Sequence, residues 1–211
     1  GSAFGNTGYF GIPVSLALLP NHALIYSIGF DLGATLVIWS IGPILLTDPS
    51  KVLSSNRYWQ NFIKAIFRSP AVKGLIGALI VHSSPWNEQI TALLWIPSRV
   101  VIVLALVIVG MRLSWLRKEN LSRIKIQITS IKNALIMKLV GLPVIMLIIS
   151  SAIRLPNVMR DALVLQSAAP TAISVLLISQ AASRDEEEAT SLVVLSTIIA
   201  LISIPVWLLI L

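Results

Sequence analysis

The 211-residue sequence predicts an all-α membrane protein. Three features carry that expectation. Hydrophobic residues make up 56% of the chain and charged residues only 12%, whereas a soluble domain carries roughly 25% charged residues to keep its surface wetted. The mean hydropathy is +0.88. The apolar residues also gather in long runs, such as residues 100–109 and 192–202. The chain has no cysteine, which excludes disulfides, thiolate metal sites and cysteine nucleophiles.

A helix needs about 20 mostly apolar residues to cross the hydrocarbon core. Seven candidate spans lie near residues 1–20, 23–46, 70–84, 92–113, 133–153, 158–182 and 188–211. Pro20-Asn21-His22 leaves room only for a tight turn, so the first two spans form a hairpin. The third is short and contains Gly74 and Gly77. Residues 47–69 and 112–132 are the long polar connections, and Ile124, Ile128 and Ile131 predict an amphipathic surface helix in the second.

Lys and Arg in short loops set orientation. Lys51, Arg57, Lys64 and Arg68 fall in one connection, and Arg112, Arg117, Lys118, Arg123, Lys125 and Lys132 in another on the same side, joined there by Arg184. The opposite side holds Arg154 and Arg160, which makes eleven against two. The basic side is therefore read as cytoplasmic and the C-terminus as outside. The net charge of +7 is then a topology signal, and nucleic acid is not an expected partner.

Two spans are interrupted. Gly5-Asn6-Thr7-Gly8-Tyr9-Phe10-Gly11-Ile12-Pro13 places three glycines at intervals of three before a proline, a poor continuous helix. Gln166-Ser167-Ala168-Ala169-Pro170-Thr171-Ala172-Ile173-Ser174 sets polar side chains beside another helix breaker. Unpaired backbone inside a bilayer is tolerated only where protein buries it or a polar cavity receives it. A stripe of small residues for close helix packing and a simple proline kink are the structural alternatives.

The first hairpin resembles the last. Ser40-Ile41-Gly42-Pro43 follows Asn6 by 34 positions, and Ser203-Ile204-Pro205 follows Pro170 by 33. Five spans separate corresponding elements, an odd number, so the copies are inverted, as in secondary transporters with discontinuous helices. Three spans precede the second interrupted hairpin, so three more are expected before residue 1, where the chain opens on Gly1-Ser2 without a Met. The expected architecture is seven helices of a ten-helix, five-plus-five inverted repeat. Residues 1–46 end the first repeat, 47–69 form a cytoplasmic linker, and 70–211 form the second repeat.

These residues resemble the auxin efflux carrier family, which includes plant PIN-FORMED carriers and bacterial malate and malonate permeases. The matching stretches are Gly5-Asn6-Thr7-Gly8 through Gly11-Ile12-Pro13, Arg68-Ser69-Pro70, Ala168-Ala169-Pro170-Thr171-Ala172, and Leu195-Ser196-Thr197 with Pro205. The resemblance covers essentially the whole chain as the family's fourth to tenth helices, and implies that the fourth and ninth cross at the substrate site. Gly5 stands where plant members often carry proline, and residues 47–69 are short, which fits the bacterial branch and a bacterial inner membrane.

A broken helix offers unpaired N–H groups and a positive dipole end, suited to a carboxylate. No Lys or Arg lies near the middle of either interrupted span, so an organic anion is expected to bind without a permanent cation. Asn6 and Thr7, with Gly5 and Gly8 permitting close crossing, and Pro170 with Thr171 are the leading candidates. Gln166, Ser167 and Ser174 are further cavity-lining candidates. Asn6 as a structural helix cap is the alternative. Asp31 is the acid deep within a span, either a coupling carboxylate or a hydrogen-bonded acid at the wet end of a helix.

The remaining charged and aromatic residues have ordinary readings. Arg99 can snorkel to the headgroups, and Asp185, Glu186, Glu187 and Glu188 complement a helix dipole. His22 and His82 are sixty residues apart and make no metal site. Trp39, Trp86, Trp95, Trp115 and Trp207 fall near span ends, as in aromatic belts. The expected function is a secondary carrier for a small organic anion working by alternating access or an elevator motion. No cofactor is expected; coupling to protons or membrane potential, and a homodimer, are left open. A sodium-coupled bile-acid-type symporter is the alternative. An intramembrane enzyme lacks its catalytic set, and a primary pump lacks a phosphate-binding loop.

Overall fold

The computed structural model describes residues 4–46, 70–182 and 186–211. The arrangements expected in the basic connection at 47–69 and at Arg184 and Asp185 lie outside those residues. The described chain is mostly helical and contains no strand, only an isolated backbone bridge between Gly5 and Thr171. It divides into two compact units, Gly1–Asp31 with Leu104–Leu211, and Leu32–Val103.

In the first unit a π-helical turn, Thr7–Gly11, leads into α1, Ile12–Leu18. The sharp turn at Pro20 is a single 3-10 turn, Asn21–Ala23, closed by the Ala23 amide on the Pro20 carbonyl at 2.8 Å, before α2, Leu24–Leu46. Helix α3 is Pro70–His82 and α4 is Asn87–Ile136. A second π-helical turn, Met137–Gly141, joins α4 to α5, Leu142–Ala152. Then come α6, Asn157–Ser167, α7, Ile173–Ala182, and α8, Glu186–Ile210.

The surface helix expected at 112–132 is not a separate element, because α4 runs through these residues in 50 continuous positions. Neither glycine nor proline occurs from Met111 to Val140, and charged side chains such as Lys, Arg and Glu favour helix rather than end it. Two helical stretches among the described residues are long and apolar enough to cross a bilayer, Thr129–Ala152 and Glu186–Ile210; Thr7–Leu18 and Val72–His82 are apolar but shorter.

Both π-helical turns end on glycine with proline two residues later, Gly11-Ile12-Pro13 and Gly141-Leu142-Pro143. Proline has no N–H to give the carbonyl four residues back, and its ring crowds that carbonyl. Widening the preceding turn relieves the crowding. In the second case the bypassed Leu139 carbonyl accepts the Trp207 indole N–H at 2.9 Å. Trp207 is thus buried and hydrogen-bonded inside the unit rather than part of an aromatic belt. Trp86 and Trp95 are exposed, and the Arg99 guanidinium lies 5.1 Å from the Trp95 ring centre.

The first unit's main core joins Phe10, Leu139, Val164, Leu165, Ala168, Ala200, Ile204 and Trp207. Helices α5 and α6 pack together across their short turn, where Arg154 adopts a left-handed conformation with φ 55°. Helix α8 packs against both α6 and α7. A smaller core joins Ile131, Leu135 and Leu192, and beside it the Ser130 hydroxyl donates to the Glu188 carboxylate. Ile145, Ile148, Ile198, Ile202 and Leu209 point outward. In the second unit, Leu79, Ile80, Leu93 and Ile96 are likewise exposed.

Candidate functional site

The two interruptions lie against each other. Residues 4–6 pair in antiparallel fashion with the break between α6 and α7: the Asn6 amide donates to the Pro170 carbonyl at 2.6 Å, and the Ala172 amide to the Phe4 carbonyl at 3.0 Å. Gly5 and Thr171 face one another at the centre of this pairing. Proline and glycine locally forbid regular helix, and the backbone groups released on one break satisfy those of the other. The Thr171 amide, turned away from the pairing, donates to Ser196 Oγ at 3.0 Å; that hydroxyl also contacts the Val193 carbonyl at 3.2 Å. Ser196 therefore fastens the break to α8.

The Asn6 carbonyl accepts from the Phe10 and Gly11 amides at 3.1 and 3.0 Å, which starts the first half-helix. The Asn6 side chain makes no capping bond and is buried. The Thr7 hydroxyl donates to Asp31 Oδ1 at 2.5 Å. Asp31 also lies over Gly8, where an added Cβ would sit 3.2 Å from the same oxygen. Gln166 is fully buried: its Nε2 donates to Ser15 Oγ at 3.3 Å and its amide packs on Gly11, where a Cβ would collide with it. Ser167 turns back to the Val164 carbonyl at 2.7 Å. Ser174 is half-buried in the first turn of α7.

Gly5, Asn6, Thr7, Gln166, Pro170 and Thr171 are thus brought together, with Asp31 beside them. Pro170 uses its own carbonyl to hold the partner break. Thr7 commits its hydroxyl to Asp31. Two buried polar atoms of the site, Gln166 Oε1 and the Thr171 hydroxyl, have no hydrogen-bond partner among the described residues.

Neither interrupted span carries a lysine or arginine near its middle, but an amine from elsewhere in the chain lies against both breaks. Lys138, in the second π-helical turn, is 2% exposed and its Nζ donates to the Ser167 carbonyl at 2.9 Å. A Cβ on Gly5 would stand 2.8 Å from that nitrogen and 3.5 Å from the Ala169 carbonyl oxygen. The amine comes from neither interrupted span but from the fifth, whose chain position lies only six residues beyond Lys132. From the sequence it carried no assigned role. Its one available signal was a lone lysine inside a continuous apolar run, the kind of intramembrane charge that faces the protein interior. Ser15 was also missed, because an isolated serine on a helix carries no pattern; Ser196 stood in a matching stretch, but its bond to the break was not read from it.

Aliphatic side chains cover the outside of α5 and α8, two helical stretches among the described residues are long and apolar enough to cross a bilayer, and a cluster of polar groups is buried at the paired breaks, an arrangement suited to an integral membrane protein. The model of the membrane transport protein family, that of the auxin efflux carriers, matches residues 1–208, and the chain belongs to this family. Searches among curated proteins and among solved structures return no match.

Proposed function

We propose that this protein is a secondary carrier for a small organic anion, a carboxylate, working by alternating access of the elevator kind. The observation that carries this reading is the pairing of two chain breaks through Asn6, Pro170, Phe4 and Ala172. Half-helices beginning at Thr7 and Ile173 start at that pairing. Their first-turn N–H groups lack partners within their own helices and carry the positive dipole end. An anion placed there meets donors from both breaks, with Asn6, Thr171, Gln166 and Ser174 as the surrounding polar groups. Membership of a membrane transport family supports movement of the ligand rather than its storage.

In this reading the chain contributes seven spans to a ten-helix inverted repeat in a bacterial inner membrane, with the C-terminus outside. Asp31 couples the cycle to protons, because its hydrogen bond to Thr7 ties its protonation to the position of the first break. The test is uptake of radiolabelled succinate, malonate and acetate by the full-length protein in proteoliposomes. Replacing Asn6 by Ala is expected to lower carboxylate uptake about 10-fold or more, the loss of a hydrogen bond to a charged ligand, with unchanged protein incorporation. Undiminished uptake by a well-incorporated Asn6→Ala protein assigns that residue to structure. Uptake that requires sodium replaces the proton-coupled reading with a sodium-coupled symporter.

A further inference from the structure

Lys138 is a buried amine whose surroundings leave it incompletely bonded. A lysine ammonium has three N–H donors and no acceptor, and among the described residues its hydrogen bond is the single one to the Ser167 carbonyl. No carboxylate lies within ion-pairing distance of it among those residues: Asp31 is engaged by Thr7, and the described ion pair joins Arg160 to Asp161. A buried charge without a counter-charge is unfavourable unless a partner arrives.

The chain makes room for this amine at a specific place. Gly5 is the centre of the paired breaks, and its missing Cβ is what lets Nζ and Cε of Lys138 lie against it. The Ser167 carbonyl that receives the amine belongs to the end of α6, where the second break opens. The ammonium therefore touches both breaks at once. The Thr171 hydroxyl, opposite Gly5 and fully buried, has no hydrogen-bond partner among the described residues. A carboxylate has the two acceptor oxygens that a partly bonded ammonium and a free hydroxyl lack.

We infer that Lys138 is the cationic anchor of the ligand site, binding the carboxylate of the transported anion between the two breaks. This rests on the carrier reading and deepens it, by assigning the ligand's negative charge to one side chain. Lys138 is a binding residue here, and Gly5 positions it.

The test uses the full-length protein in proteoliposomes, with labelled succinate and its half-amide, succinamate, as probes. The Lys138→Met and Lys138→Gln variants are expected to raise the half-saturation concentration for succinate about 10- to 100-fold, the loss of a charge-assisted hydrogen bond. Both variants should also lose most of the preference for succinate over succinamate, which a merely structural lysine would not set. Lys138→Arg should keep part of that preference. Gly5→Ala, which retains the amine but displaces it, should weaken succinate uptake in the same direction. Unchanged half-saturation and selectivity in either charge-removing variant that incorporates normally overturn the assignment while leaving the carrier intact. If neither incorporates, unchanged succinate affinity in Gly5→Ala overturns it. A wild-type protein that moves neutral or cationic solutes but no carboxylate defeats the carboxylate-carrier reading on which the assignment rests.

Discussion

Three glycines of the first break each face a different polar side chain from a distant part of the sequence: Gly5 meets Lys138, Gly8 meets Asp31 and Gly11 meets Gln166. Each absent Cβ is filled by a group that the bilayer would otherwise strand. Adding a methyl at Gly11 forces the buried Gln166 amide out of its bond with Ser15. The expected cost for Gly11→Ala is about 1–3 kcal/mol, read as a lowered midpoint in thermal unfolding of the detergent-solubilised protein. That these glycines mark a close approach was legible from their spacing. What approaches was not, because Lys138 and Gln166 lie more than a hundred residues away. Lys138 was hidden for a further reason. Its long aliphatic stem allows a lysine near a span end to snorkel outward, and packing against Gly5 is what turns it inward.

At the scale of elements, proline dictates where backbone groups need outside help. Pro143 cannot serve the Leu139 carbonyl, and Trp207 does so across the unit. Trp207→Phe should keep most of the packing in the main core but leave that carbonyl buried and unpaired, at a cost of about 1–3 kcal/mol. In a Pro143→Ala background the restored amide at position 143 can reach the carbonyl, so the same substitution should cost less. Thermal unfolding of the four proteins of this double-mutant cycle measures the coupling; equal costs in both backgrounds would remove the indole bond from the account. Helix ends were well read at Pro20 and between the spans at 133–153 and 158–182. At 112–132 a helix was expected and is present, but as part of α4 rather than as a separate surface element, since nothing in the residues breaks it from the span before.

For the whole molecule, composition alone disclosed the membrane class, since so few charges cannot wet a folded surface. Orientation was read from the basic connections, and the cysteine-free sequence makes it directly testable. Ser130 and Asn157 are exposed and lie at opposite ends of the stretch that carries Lys138. In right-side-out vesicles, a membrane-impermeant thiol reagent should label Asn157→Cys at once and Ser130→Cys only after permeabilisation. The reverse pattern would turn the proposed topology over. The interior arrangement was less legible than the exterior, because hydropathy ranks residues by solvent preference and is silent about which of them share a polar pocket.

The join between the two breaks is made of main-chain atoms, the Asn6 amide on the Pro170 carbonyl and the Ala172 amide on that of Phe4. Alanine scanning would therefore pass over the attachment and record only the groups around it. Amide-to-ester replacement at positions 6 and 172, which deletes each donor while sparing its side chain, is the chemistry that would expose how much of the transport cycle this hidden clasp governs.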